Sequence, residues 1–67
     1  MHQAHVNDFV RLNHDIPELG LHSGQVGVVC STWSSPATAY EVEFGQGASA
    51  TRTLLLPNQI EPDADSH

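Results

Sequence analysis

The sequence predicts a small all-β protein, a barrel of five short strands. Residues 24–29 place two glycines three positions apart at the start of a β-branched run. Residues 40–44 alternate apolar and acidic side chains, as a half-buried strand does. No stretch keeps a helical period, and an open sheet in so short a chain would leave one face wet and two edges exposed. The strands are therefore expected to curl around one core.

The length and cysteine content limit what the chain can do. Its 67 residues allow one domain, and a chain of this size buries only ~60% of the surface that it exposes when unfolded. That leaves no room for a deep active-site cleft. Cys30 is the single cysteine, which excludes an internal disulfide and is typical of a small buried hydrophobe. A lone thiol also fits a reducing cytoplasm.

The charge balance favours a basic protein partner. The chain has eight acidic residues, two arginines and no lysine, for a net charge of −6. Arg11 and Arg52 cannot form the basic stripe that phosphate contacts require, which disfavours nucleic acid and anionic membranes. No apolar run reaches the ~20 residues of a membrane helix, and the N-terminus lacks the pattern of a secretory signal. We expect a cytoplasmic protein.

The first elements follow from local pattern. Residues 1–7 are polar and are predicted to be flexible, and the barrel is predicted over residues 8–61. The first strand covers residues 8–13, with Val10 and Leu12 facing the core and Phe9 sharing the outer face with Arg11.

A long structured loop is predicted over residues 14–24. Pro17 favours extended geometry before it, and Gly20 and Gly24 supply turn conformations. The loop has three apolar anchors, which are expected to pack it over one end of the barrel. They are Ile16, Leu19 and Leu21.

The second strand is predicted over residues 25–33. Strict alternation would place Val26, Val28 and Cys30 on one face. Gly27 within the run indicates either a bulge or a close backbone approach. We favour the bulge, which would turn Val26 and Val29 inward and Val28 outward.

The rest of the chain continues the strand and turn pattern. A turn over residues 34–38 leads to a third strand, in which Tyr40, Val42 and Phe44 face inward and Glu41 and Glu43 face outward. A glycine hairpin loop at 45–49 precedes a fourth strand over residues 50–56. Residues 57–59 form a short 3-10 turn before a last strand that starts at residue 60. Residues 62–67 are predicted to be a disordered acidic tail.

Four or five such strands fit a five-stranded SH3-like barrel, and their motifs resemble a small bacterial family known as domain of unknown function 4926. The resemblance covers about residues 8–61. The matching residues are Asp8, Val10 and Leu12; Asp15-Ile16-Pro17 with Gly20-Leu21, Gly24 and Gly27; Tyr40-Glu41-Val42-Glu43-Phe44; and Gln59-Ile60.

The resemblance implies a binding role without an assigned activity. The family is similar to SH3-like barrels that include RNA-binding KOW modules, small photosystem and ferredoxin-reductase accessory subunits, and the β-subunit barrel of nitrile hydratase. It brings no catalytic residues and no cofactor to this chain. KOW modules carry lysines and arginines in their loops, whereas the corresponding positions here are uncharged or imidazole side chains. They are His22, Ser23, Ser34, Ser35 and Thr38.

The sequence gives only weak signals for a metal site or a catalytic site. Five histidines suggest a metal, and His14, His22 and Asp15 form one conceivable set, but structural zinc requires four closely placed ligands. Solvated histidines are the favoured interpretation, with no metal and no cofactor. Glu41 and Glu43 form a carboxylate pair on one strand face, but acid-base catalysis would require burial to raise one pKa. We therefore expect no enzyme activity.

Trp33 is the best candidate for a binding residue. It ends the second strand at the lip of a turn, where a tryptophan provides apolar area and an N–H donor to a partner. The alternative is that Trp33 folds back and caps the barrel. A partner groove is predicted between the long first loop and the turn after Trp33. Its predicted lining is Leu21, His22, Trp33, Pro36 and Asn58.

The run Leu54-Leu55-Leu56 predicts a second exposed apolar area. Alternation cannot bury all three leucines on one side of a sheet. With Phe9 and Val28, an exposed leucine would form a patch for a partner or for a homodimer.

Together these features favour a non-enzymatic protein-binding module, or a small accessory or regulatory subunit of bacterial origin. Two alternatives stay open. One is a KOW-like nucleic-acid-binding protein, and the other is a non-catalytic subunit of a larger enzyme complex.

Overall fold

Five antiparallel strands and three 3-10 turns make up the computed structural model, which describes residues 4–63. This confirms the predicted all-β class with five strands. The strands are β1 Phe9–Leu12, β2 Val26–Trp33, β3 Ala39–Phe44, β4 Thr51–Leu55 and β5 Ile60–Pro62. The 3-10 turns are Pro17–Leu19, Gly47–Ser49 and Pro57–Gln59. None of the helical segments in residues 4–63 is long and apolar enough to cross a membrane.

The strands form one sheet in the order β4-β3-β2-β1-β5. Every pairing is antiparallel. The sheet curls around its inner face, and no ladder joins β4 to β5 within the described residues, so hydrogen bonds do not close the barrel. The order is compatible with an SH3-like arrangement.

The core consists of the side chains on the inner face of the sheet and one residue of the first loop. β3 alternates as predicted, with Tyr40, Val42 and Phe44 buried and the two glutamates between them on the outer face. Val10 and Leu12 are also buried, as predicted. The complete set is Val10, Leu12, Leu21, Val29, Tyr40, Val42, Phe44, Leu55 and Ile60.

Gly27 marks a close backbone approach, and the predicted bulge at this glycine is wrong. A Cβ at Gly27 would lie 2.7 Å from Val42 Cγ1 and 2.9 Å from the carbonyl oxygen of Glu43. The pairing of β2 with β1 is regular here, with Gly27 opposite Val10. Only a residue without a side chain fits between these neighbours.

The irregularity in β2 lies three residues further along. Val29 pairs with Val42, but the next pair is Ser31 with Glu41, so Cys30 is the extra residue. Because the strand alternates regularly before this point, Val26 and Val28 both face outward. The inward position predicted for Val26 is therefore wrong, whereas Val29 is fully buried as predicted.

The loop between β1 and β2 is structured, as the prediction requires. Gly20 ends the first 3-10 turn with φ 70°, and Gly24 has φ 93°, conformations that favour glycine. The N–H groups of Ile16 and Leu21 donate to the carbonyls of Leu21 and Ile16. Leu21 is buried and Ile16 packs against the core, but Leu19 is exposed, so its predicted anchoring role is wrong. It lies on the 3-10 turn, none of whose residues is buried.

The 3-10 turn before β5 is confirmed at residues 57–59. The side-chain oxygen of Gln59 accepts a hydrogen bond of 2.7 Å from the N–H of Leu56. The turn is joined to the end of β1, because the Asn13 amide donates to the Asn58 carbonyl at 2.8 Å and the Asn13 N–H donates to the Gln59 carbonyl.

Both ends of the described chain contact β1 or β2. The Asn7 N–H donates to the Val29 carbonyl at 2.8 Å. At the other end, Pro62 belongs to β5, and Asp63 accepts a hydrogen bond of 2.7 Å from the Arg11 guanidinium. The strand thus includes the first residue of the predicted tail, Pro62, and the second, Asp63, is bonded to β1. Residues 1–3 and 64–67, which include the remaining parts of the predicted flexible segments, lie outside the described residues.

Candidate functional site

The turn between β2 and β3 carries the most exposed aromatic side chain of the described residues. Trp33 is the last residue of β2, pairs with Ala39 of β3, and is 53% exposed. The alternative in which it folds back into the barrel is thus not the observed one. The turn over residues 34–38 contains a cis peptide bond before Pro36. An exposed tryptophan at a strand end presents its ring and its N–H to a partner.

Trp33 forms one wall of a shallow apolar groove of about 360 Å³. The opposite wall is Leu54 of β4, which is 60% exposed. β4 pairs with β3, and β3 pairs with β2, so the two side chains lie on the outer face with β3 between them. The groove is lined by Trp33, Ser35, Pro36, Ala37, Ala39 and Leu54.

Two of the five predicted groove residues line this groove, and three do not. Trp33 and Pro36 lie together on it, because the β2–β3 turn holds both. Leu21 is 3% exposed and belongs to the core, since the first loop folds inward at this point. His22 and Asn58 are exposed but are not among the lining residues. The turn of Asn58 is held against Asn13 at the end of β1.

Leu54 is the groove residue that the sequence reasoning placed in a different surface. The triple-leucine run correctly predicts exposed leucines, because Leu54 and Leu56 face outward while Leu55 is buried. The expected patch with Phe9 and Val28 does not form around Leu54. Strand order, which local pattern does not give, places Leu54 with Trp33.

Two carboxylates separate the apolar groove from the Phe9–Val28 pair. Phe9 lies opposite Val28, and Val28 lies opposite Glu43. One row further along, Glu41 lies between Ser31 and Leu54. The outer face therefore has two apolar areas with a polar band between them.

On the outer face, the charge beside the groove is negative. The Arg52 guanidinium bonds the Glu43 carboxylate at 3.2 Å, and Arg11 bonds Asp63 at 2.7 Å. Each arginine thus already has a carboxylate partner. Within residues 4–63, Glu41 has neither an ion pair nor a side-chain hydrogen bond. Among these residues, the Glu41 carboxylate is therefore the negative charge next to Leu54 that is not already paired.

Cys30 lies in the same polar band. Its thiol is 3.6 Å from a carboxylate oxygen of Glu43. Burial raises the pKa of the Cys30 thiol, Arg52 opposes this shift, and the Glu43 carboxylate adds to it. The thiol is therefore protonated at neutral pH, and a reactive cysteine would require the opposite environment.

His14 and Asp15, from the conceivable metal-binding set, are hydrogen-bonded to other residues. The His14 ring nitrogens lie 3.1 Å from the Asn13 side-chain oxygen and 3.3 Å from the Gln59 side-chain nitrogen. The Asp15 carboxylate accepts the N–H of Ser23 at 2.8 Å. Among residues 4–63, no three histidine, cysteine or acidic side chains are grouped so that they could hold a metal ion.

These features define a small antiparallel β protein with an apolar groove beside the polar band. The model of the family described as "Domain of unknown function (DUF4926)" matches residues 6–60. The chain belongs to this family, as its motifs indicate. Comparison with curated proteins and with solved structures gives no significant match.

Proposed function

We propose that this protein is a protein-binding module whose docking surface is the groove between Trp33 and Leu54. The observation that supports this proposal is the pair of large apolar side chains, more than half exposed, that face each other across the groove. Hot spots of protein interfaces are enriched in tryptophan, and keeping such side chains in water costs free energy that a partner recovers by covering them.

The chemistry of the groove favours a protein over a small molecule. Small-molecule sites combine an apolar lining with a few convergent polar groups that fix the ligand's orientation. Here Ser35 is the one polar residue of the lining. The groove is also open along the surface, so it suits an anchor side chain that a larger partner inserts.

Charge favours a basic partner. The chain carries a net charge of −6, and both arginines are already bonded to carboxylates. Glu41 lies opposite Leu54 on the neighbouring strand. A partner with lysine or arginine beside its apolar anchor would meet complementary charge, which steers association and selects among partners.

The first test is the capture of a partner by the tagged protein from a lysate of its source organism at low salt. We expect one protein in stoichiometric amount from the wild type, and none from Trp33→Ala. Because Trp33 is half exposed, its loss should cost about 1 kcal/mol of stability or less, which urea unfolding measures.

Leu19→Ala is the matched control, since Leu19 is an exposed large side chain outside the groove. It should retain the partner. Loss of the partner in both variants, or retention in both, would contradict the groove as the docking surface. Recovery of RNA, with affinity that falls steeply as salt rises, would favour the nucleic-acid alternative.

A further inference from the structure

We propose that the partner contributes an extended basic segment that pairs with the outer edge of β4 as a sixth strand. This inference rests on the proposed function, because the same segment would place a side chain in the groove between Trp33 and Leu54. It adds the binding mode, the chemical character of the segment and the position of its backbone.

The first support is the unpaired edge of β4. One side of β4 pairs with β3 through five residue pairs, from Thr51 to Leu55. No strand in residues 4–63 pairs with the other side. In an antiparallel ladder, alternate residues direct their N–H and C=O groups away from the neighbouring strand. The outer edge of β4 therefore offers backbone groups at the spacing that an added strand requires.

The second support is that β4 lacks the features that block edge pairing. Proteins protect edge strands by short length, by proline and by charge. β5, at the opposite edge, has three residues and includes both Glu61 and Pro62. β4 has five residues, no proline and one charged residue, Arg52. That charge is already bonded to Glu43.

The third support is the continuity of this edge with the groove. Leu54 is both a residue of β4 and a wall of the groove. Side chains of directly opposed residues on neighbouring strands have Cβ atoms about 5 Å apart. An apolar side chain on the outer face of an added strand would consequently contact Leu54 at the entrance to the groove.

Charge complementarity selects a basic segment over a second copy of this chain. Glu41 lies on β3 beside Leu54 and has no ion pair within the described part of the chain. A lysine or arginine on the added strand would lay its methylene stem along Leu54 and bring its charge towards Glu41. Two copies of this chain would each carry a charge of −6 and would repel each other.

The test uses a phage-displayed library of random ten-residue peptides selected on the immobilised full-length protein. We expect the enriched peptides to carry an apolar residue and a lysine or arginine two positions apart, because residues at this spacing share one face of a strand. The best peptide is then synthesised together with a version in which each lysine and arginine is replaced by glutamate. The glutamate version should bind at least ten-fold more weakly.

Amide hydrogen exchange, followed by NMR, reports whether the peptide adds a strand. In the free protein, the outward-directed amides of Thr51–Leu55 should exchange fast. In the peptide complex, alternate amides of this strand should exchange at least ten-fold more slowly, while those of β5 should be unchanged. Unchanged exchange along β4 in a saturated complex would overturn the strand-addition mode.

Glu41→Gln tests the charge, with Glu61→Gln as the matched control on the opposite edge. Glu41→Gln should weaken the binding of the basic peptide several-fold, and Glu61→Gln should leave that binding unchanged. Equal affinities would overturn the role of Glu41, and failure to enrich any basic peptide would overturn the chemistry of the segment. Protection of β4 without peptide, with twice the monomer mass by ultracentrifugation, would assign the edge to a second copy.

The two proposals fail in different ways. If Trp33→Ala removes peptide binding but the β4 amides are never protected, the groove is the docking surface and strand addition is wrong. If the β4 amides are protected and Trp33→Ala binds as the wild type does, the edge is used and the groove proposal is wrong.

Discussion

The two edge strands of this sheet differ in almost every feature that decides what an edge can bind. β5 is short, contains Pro62 and Glu61, and continues into Asp63, whose carboxylate is bonded to Arg11 on the neighbouring strand. β4 is longer, has no proline, and exposes Leu54 next to Trp33. One edge carries the short length, proline and charge that disfavour pairing, and the other borders an apolar groove.

The difference shows that side-chain and backbone hydrogen bonds can secure one edge of a sheet while the other edge keeps its backbone groups available for pairing. On either side of β5, the Asp63 carboxylate accepts from Arg11 of β1, and the carbonyls of Asn58 and Gln59 accept from Asn13, the residue after β1. On β4, the inner face is anchored by buried Leu55, whereas Leu54 is exposed. If Leu54 served only the fold, a polar residue would suit its position better.

The largest effect expected is that of Leu55→Ala, compared with Leu54→Ala on the same strand. Leu55 is 2% exposed, and removing a buried leucine costs about 3 kcal/mol of unfolding free energy. Leu54→Ala should change stability by about 0.5 kcal/mol or less. Urea unfolding measures both, with sodium sulfate added to keep the weaker variant folded. Equal losses would mean that Leu54 supports the core and would remove the contrast between the two faces of β4.

Asp63→Asn should have an intermediate effect on stability, through the link between β1 and the chain after β5. It removes the charge that the Arg11 guanidinium contacts at 2.7 Å, and we expect a loss of about 1 kcal/mol because the Asp63 side chain is only 12% exposed. Glu43→Gln breaks the more exposed bridge to Arg52 and should cost less than about 0.5 kcal/mol. If Glu43→Gln proved the more costly change in urea unfolding, the ion pair on the β4 side would be the one that contributes more to stability.

The smallest effect is expected at Cys30, in the polar band between the two apolar areas. Burial raises the pKa of its thiol and the Glu43 carboxylate raises it further, so wild-type protein should react with iodoacetamide slowly, and faster only at alkaline pH. Glu43→Gln removes a negative charge that disfavours the thiolate. The pKa should therefore fall, and alkylation at pH 8 should be faster than in wild type. Glu18→Gln, on the exposed first 3-10 turn, should react at the wild-type rate.

Most of the fold could be predicted from local pattern. Alternation in residues 40–44 identified the buried side of β3, and the two glycines of the first loop have the positive φ values that their turns require. The short turn at residues 57–59 was also predictable, because proline starts it and an apolar residue follows. These features depend on neighbours along the chain, which a single sequence contains.

The errors concern contacts between segments that are distant in the sequence. A side chain at Gly27 is excluded by the side chain of Val42 and the backbone of Glu43 across the β2–β3 ladder, and a run of valines does not reveal this approach. The extra residue at Cys30 likewise depends on register with β3. Leu19 has the composition of an anchor, but the tight turn directs it to solvent.

The candidate site shows the same division. By itself, the sequence determined which side of each regular strand is apolar, that Trp33 ends a strand at a turn, and that the leucine run must expose part of itself. Only the tertiary structure decided that Leu54, and not Leu21, His22 or Asn58, faces Trp33. The reason is physical: side-chain periodicity is a local property of the backbone, whereas the meeting of two exposed side chains depends on strand order, register and sheet curvature.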